Sequence, residues 1–255
     1  MRLKVLGCSG AEMPGHSPSS FIIDEIIALD AGSITSALTE KQQRKIKGIL
    51  VTHAHLDHIS AIPFLADNLI ISRPDLRFEV FSLRPIIKAM KDNLLNSTIW
   101  PDFTDIPHPK DGIIKLVELR ESEETTIYDY KITPIAVNHT VPAVGYLVVD
   151  KDGKSLFYTG DTGPTSKTWK RLGDRCLDAL IIEVSFPNKM KELALITGHL
   201  TAELMSAELK SIKCMPKRVF ITHPKPQYLK QISSELKMLR MKNLSMLSDG
   251  KVINI

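Results

Sequence analysis

Gly48-Ile49-Leu50-Val51-Thr52-His53-Ala54-His55-Leu56-Asp57-His58 runs from a continuous apolar segment directly into three histidines and an aspartate. A short apolar run of this kind reads as a buried strand, so the cluster lies where a strand ends and a helix begins. Such ends are exposed yet rigidly held, as a metal site requires. In extended backbone His53 and His55 point to the same side, while Asp57 and His58 open the following helix and face a second position. The spacing therefore suggests two metals. Imidazole with carboxylate is a donor set that favours zinc, with manganese or iron as substitutes.

Four ligands cannot complete two sites, so further donors are expected at other strand ends. His139 follows Ile132 to Val137, Asp161 follows Leu156 to Tyr158, and His223 follows Val219-Phe220-Ile221-Thr222. Singly, each also reads as a structural polar residue at a strand end. Together they supply what the cluster lacks. Glu183 and His199 form a further pair, because this ligand set leaves His199 unassigned while the leaving group of a hydrolysis needs a proton. His199 is expected to act as general acid with Glu183 orienting its ring; the alternative is a structural histidine ahead of the helix at Thr201.

The remainder of the chain fits a soluble globular frame. Its 255 residues, with 43% hydrophobic and no linker or low-complexity tract, read as one domain spanning 1–255. Mean hydropathy is −0.02, and no stretch approaches membrane-spanning length. The apolar opening breaks at Gly7 and Gly10, short of a signal-peptide core. Cys8, Cys176 and Cys214 are scattered and odd in number, which predicts neither a disulfide framework nor a zinc knuckle, and a cytoplasmic setting. Cys8 reads as a packed thiol. The net charge of +4 is spread along the chain and suits an anionic ligand without marking nucleic acid.

Strands are expected at Arg2 to Leu6, Ser20 to Asp24, Ile26 to Asp30, Gly48 to Thr52 and Arg77 to Ser82, then across Ile113 to Tyr158 with a hairpin turn at Asp152-Gly153. Leu177 to Val184, Arg218 to Thr222 and Ser245 to Leu247 complete them. Helices are expected at Ser36 to Ile46, Ile59 to Ile71, Pro85 to Leu95, Thr201 to Ser211 and Gln227 to Leu239. Strands first clustered, then alternating with helices, imply an α/β layered sheet core with helices outside. The segment from Asn96 to Gly112 reads as an irregular loop, and Trp100, Phe103 and His108 in it are candidates to line a base pocket. His16 and Lys225 are weaker candidates.

The ligand pattern resembles the metallo-β-lactamase fold, a four-layer αββα sandwich with two metals at one edge of its sheets. That resemblance assigns His53, His55 and His139 to one metal, Asp57, His58 and His223 to the other, and Asp161 to a bridge between them. The run His-x-His-Leu-Asp-His with Ile59-Ser60-Ala61-Ile62 further resembles class II 3′,5′-cyclic-nucleotide phosphodiesterases. Leu6-Gly7-Cys8-Ser9-Gly10, Leu29-Asp30-Ala31-Gly32-Ser33, Ile99-Trp100-Pro101, Glu183-Val184-Ser185-Phe186-Pro187-Asn188 and Gly198-His199-Leu200-Thr201 agree with it. Ala61-Ile62-Pro63-Phe64 departs from that signature.

The resemblance implies hydrolysis of cyclic AMP or cyclic GMP to the 5′-monophosphate, two zinc ions activating a shared water, Asp57 among the groups at the reacting centre, and a homodimer. The rival enzyme is a tRNA 3′-processing endonuclease, which shares the ligands and the Glu/His pair. Here, however, the acidic, Gly-rich motif and the basic arm of such nucleases are not evident. A lactamase or thioesterase would not require His199. A non-catalytic nucleotide-binding or metal-sensing relative would be expected to lack ligands that this chain retains.

Overall fold

The computed structural model describes residues 1–255. The first half supplies β1 (Arg2–Gly7), β2 (Ser20–Ile23), β3 (Ile27–Leu29), β4 (Gly48–Leu50), β5 (Phe78–Leu83), a two-residue hairpin of β6 (Pro107–His108) and β7 (Asp111–Gly112), and β8 (Ile114–Leu119). The second half supplies β9 (Thr125–Ile127), β10 (Tyr130–Ala136), β11 (Val144–Val149), β12 (Ser155–Tyr158), β13 (Ala179–Glu183), β14 (Val219–Thr222), β15 (Leu244–Met246) and β16 (Val252–Asn254). Between them run helices α1 (Ile34–Ala37), α2 (Glu40–Gln43), α3 (Leu56–Ile59), α4 (Ala61–Ser72), α5 (Arg84–Asn93), α6 (Ser166–Leu172), α7 (Lys191–Ile196), α8 (Ala202–Leu209) and α9 (Leu229–Met238).

Two seven-stranded sheets result, ordered β16-β1-β2-β3-β4-β5-β8 and β15-β14-β13-β12-β11-β10-β9. Each follows one plan: antiparallel hairpins first, then parallel strands reached through helices. The chain end closes the first sheet, with Leu3 opposite Ile253.

Side-chain alternation builds the layers. In the second sheet Val144, Tyr146, Val148, Leu156, Tyr158, Ala179, Ile181 and Phe220 join the core shared with the first sheet. Their neighbours Leu147, Phe157, Leu180, Ile182, Val219 and Ile221 face outward onto Trp169, Met205, Leu209, Ile232 and Leu236 from α6, α8 and α9. Beyond the first sheet, α4 buries Ile62, Leu65, Ala66 and Leu69, one face of a helix. The αββα sandwich read from the sequence is the observed architecture. No helix is long and apolar enough to cross a membrane.

Two expectations are corrected and two unexpected helices are added. The helix expected over Ser36 to Ile46 is two short ones, because Thr39 caps α2 in a capping box with Gln42. Helices α6 and α7 escaped the sequence reading, being only seven and six residues long. Cys176 and Cys214, separated by 38 residues, form a disulfide. The loops that carry them, after α6 and after α8, meet because β13 and β14 lie side by side. Cys8 alone is free, and it is buried.

Parallel pairing aligns strand ends. The C-terminal ends of β3 and β4 in one sheet, and of β12, β13 and β14 in the other, reach the same edge of the sandwich. Every candidate ligand lies just beyond one of these ends or that of β10.

Candidate metal centre

Donor atoms of His53, His55 and His139 lie within 4.8 Å of one another, and those of Asp57, His58, Asp161 and His223 form a second such group. The two groups meet at Asp161, whose Oδ2 is 3.8 Å from His53 Nε2, 3.3 Å from His58 Nε2 and 3.4 Å from His223 Nε2. His223 Nε2 is also 3.2 Å from Asp57 Oδ2. His55 Nδ1 and His139 Nε2 approach to 3.2 Å.

A ring nitrogen ligates only through a lone pair, so the proton must sit on the other nitrogen. The fold arranges this for four of the histidines. Asp30 Oδ2 accepts from His58 Nδ1 at 2.7 Å, from the Tyr158 hydroxyl at 2.7 Å and from Thr52 Oγ1 at 2.9 Å. Thr52 Oγ1, having donated its proton, accepts from His53 Nδ1 at 3.0 Å. The Gly198 carbonyl accepts from His139 Nδ1 at 2.9 Å. Ser185 Oγ stands 3.0 Å from His223 Nδ1. The Nε2 lone pairs of His53, His58, His139 and His223 are thereby left for the centre. Asp30 and His223 both adopt positive φ, 55° and 62°, in the left-handed region that Asp and His enter more readily than most residues.

Burial pushes the His53, His55 and His139 pKa values below the usual histidine range, which keeps these rings neutral. Burial opposes ionisation of Asp161, yet the facing His223 and His58 hold its carboxyl far below the usual range. Asp57 behaves alike, held down by its hydrogen bond to His223 against burial. His58 moves upward: burial works against its charge, but the Asp161 and Asp30 carboxylates outweigh it. A proton and a divalent cation compete for that same lone pair.

The residues fit a metal. His53 Nε2 and His58 Nε2 are buried with no hydrogen-bond partner, and both face Asp161. Two orphaned lone pairs beside a buried carboxylate are costly unless a cation satisfies them.

The other pair expected from sequence also assembles. Glu183 is fully buried at the end of β13 and accepts from His199 Nδ1 at 2.7 Å. Burial disfavours the charged ring, but the Glu183 carboxylate prevails and raises the His199 pKa. The His199 ring stacks on His223 with centroids 5.6 Å apart.

A beta-lactamase superfamily domain matches residues 27–224. The chain belongs to the metallo-β-lactamase superfamily. Within it, a 3′,5′-cyclic-nucleotide phosphodiesterase of Aliivibrio fischeri is 26% identical, over 82% of this chain and 74% of that protein. A ribonuclease Z of Archaeoglobus fulgidus is 22% identical, over 91% of this chain and 90% of that protein. Among solved structures, yeast PDE1 superposes with a TM-score of 0.82 at 19% identity, covering 100% of this chain and 99% of that one. The short form of human tRNase Z gives 0.69 at 21% identity, with 100% and 99% covered. The superfamily member described here thus resembles class II cyclic-nucleotide phosphodiesterases in sequence and shares its fold with both kinds of enzyme.

Two of the base-pocket candidates, Phe103 and His108, lie away from this centre. Phe103 is 3% exposed and belongs to the shared core. His108 lies in the β6–β7 hairpin, joined through Ile113 to the start of β5, at the sheet edge opposite the metal ligands. Trp100 packs edge-on against Phe64 at 4.9 Å. His16 is 3.5 Å from Ser9, and the Lys225 ammonium donates to the Gly10 carbonyl. Gly10 is required there, since a Cβ would stand 2.6 Å from the His223 carbonyl. Cys8 is the packed thiol expected, its pKa pushed up by burial.

Asp30, Thr52 and Ser185 are the positioning residues that sequence reasoning missed. Asp30 and Ser185 lay inside segments that carried the family resemblance, and that was the only signal for either.

Proposed function

We propose that this protein is a dinuclear-metal phosphodiesterase that hydrolyses 3′,5′-cyclic nucleotides to 5′-monophosphates. The observation that carries the reading is the Glu183–His199 pair, bonded at 2.7 Å beside two adjacent sets of metal donors. In it, His53, His55 and His139 hold one cation, Asp57, His58 and His223 the other, and Asp161 lies between them.

Two divalent cations, zinc by the donor set, supply Lewis-acid activation of water and neutralise charge on the phosphate. The protein's own groups do the rest. Glu183 accepts from Nδ1 of His199 and favours the doubly protonated ring, whose Nε2 proton on the far side is the one given to the departing ester oxygen. The carboxylate raises the His199 pKa against burial, which favours holding that proton. Asp57, with its side chain 31% exposed, is the open member of its set and borders the approach of substrate.

The choice of a cyclic nucleotide rests on the Aliivibrio fischeri relative. The second reading, a tRNA 3′-processing endonuclease, is favoured by the ribonuclease Z relative, which matches 91% of this chain. The test offers zinc- or manganese-loaded protein cyclic AMP, cyclic GMP, a 2′,3′-cyclic nucleotide and a precursor tRNA side by side. Turnover of the 3′,5′-cyclic nucleotides is expected. Cleavage of the tRNA alone would overturn the proposal in favour of the second reading.

A further inference from the structure

Ser185 follows Glu183 by two residues, so its side chain leaves the end of β13 on the same side, and it is fully buried. Its hydroxyl oxygen lies 2.6 Å from Glu183 Oε2, 3.0 Å from His223 Nδ1 and 3.1 Å from the His223 carbonyl. His199 Nδ1 is 3.3 Å away, but its proton is already given to Glu183 Oε1 at 2.7 Å.

A hydroxyl has one proton to donate and lone pairs to accept. The shortest contact, to a carboxylate, takes that proton. Ser185 Oγ then accepts from His223 Nδ1, which forces the tautomer whose Nε2 lone pair faces Asp57 and Asp161. Were the hydroxyl proton turned toward Nδ1 instead, His223 would carry its own proton on Nε2 and could not ligate.

We infer that Ser185 is a positioning residue that couples the Glu183–His199 pair to the second metal position. One hydroxyl gives its proton to the carboxylate of that pair and takes the ring proton of the ligand, two groups that do not touch each other. The inference rests on the two-cation reading above and deepens it.

Glu183→Gln exposes the coupling. The Gln oxygen takes the place of Oε1, which accepts from His199 Nδ1 and the Thr162 amide. Its NH2 group then faces Ser185 at the place of Oε2 and donates to it. The Ser185 proton is then shared between the His223 carbonyl, 3.1 Å away, and His223 Nδ1, 3.0 Å away, and only in the second orientation is the lone pair on Nε2 lost.

The test titrates zinc into chelator-treated apo protein by calorimetry, with no substrate present. S185A is expected to weaken the second zinc about tenfold, the lower end for an outer-shell partner, and E183Q by a smaller factor, because one of its two hydroxyl orientations keeps the ligand competent. The double variant should lose no more than S185A alone, because both act through the same hydroxyl. S185T, which keeps the hydroxyl, should bind like wild type. The first zinc, held by His53, His55 and His139, should bind unchanged throughout and reports an intact fold. If S185A does not fold, E183Q and S185T still decide the matter. Two wild-type affinities in E183Q, or losses that multiply in the double variant, would overturn the inference alone. A wild-type protein that takes up a single zinc would overturn the two-cation reading and the inference with it.

Discussion

Replacing Asp30 by Asn changes one atom type at the most heavily used acceptor near the centre. Oδ2 receives the His58 ring proton and the hydroxyl protons of Tyr158 and Thr52, while Oδ1 receives the Thr52 amide at 2.7 Å. Keeping the amide oxygen toward the Thr52 backbone puts the new NH2 group against three donors. The two hydroxyls can rotate and accept instead. His58 cannot rotate away, because its ring is fully buried. Either its Nδ1 proton stays unpaired, or the proton moves to Nε2 and the ring ceases to ligate. An unpaired buried donor costs about 1–3 kcal/mol. At roughly 2–4 °C per kcal/mol for a chain of this size, a cost near ~2 kcal/mol lowers Tm by about 4–8 °C. Loss of an outer-shell partner weakens metal binding about 10–100-fold. Thermal unfolding of apo D30N, with calorimetric zinc titration, reads both effects. A variant with wild-type Tm and wild-type zinc affinity would refute the hydrogen-bond reasoning, since no repacking supplies His58 with another acceptor.

Stripping the metal with a chelator should lower Tm, because the buried His53 and His58 nitrogens, which have no hydrogen-bond partner, gain one in a bound cation. Each site at a hundredfold excess over its Kd contributes about 2.7 kcal/mol, and an unchanged Tm would argue against metal binding there. The pH dependence of kcat should shift in E183Q. The Glu183 carboxylate raises the His199 pKa against burial, so the acid form is lost as pH rises through that raised value. Removing the carboxylate's charge moves the alkaline limb to lower pH, and an unmoved limb would exclude His199 as its source. Reducing the Cys176–Cys214 bond, which spans 38 residues, removes a loop constraint worth roughly 4 kcal/mol on chain entropy. A dithiothreitol-treated sample should melt lower, and a matching curve would show that the bond adds nothing.

The seven metal-ligand candidates were legible because each stands beside a recognisable apolar run, and strand ends in a layered α/β sandwich meet at one edge. The Glu183–His199 pair was legible through chemical need, a proton for a leaving group. Asp30 was not, since its role depends on Tyr158, 128 positions away in the chain. Ser185 makes its contacts across 38 residues to His223 and 14 to His199. The disulfide was hidden by an odd cysteine count and by a long separation that only the pairing of β13 with β14 closes. Phe103 and His108 shared a loop with Trp100, but local sequence does not say which way a long loop turns. Tertiary packing sends one ring into the core and the other to the far edge.

The central claim, a phosphodiesterase centre with His199 as its acid, meets its most direct test in one comparison. Wild-type and His199→Ala proteins, loaded with the same metal, are given cyclic AMP, and 5′-monophosphate release is timed. The account predicts that wild type forms the 5′-monophosphate and that the variant is slower by about 10²–10⁴-fold. Equal rates in the two proteins, or no hydrolysis of cyclic AMP by the metal-loaded wild type, would contradict it.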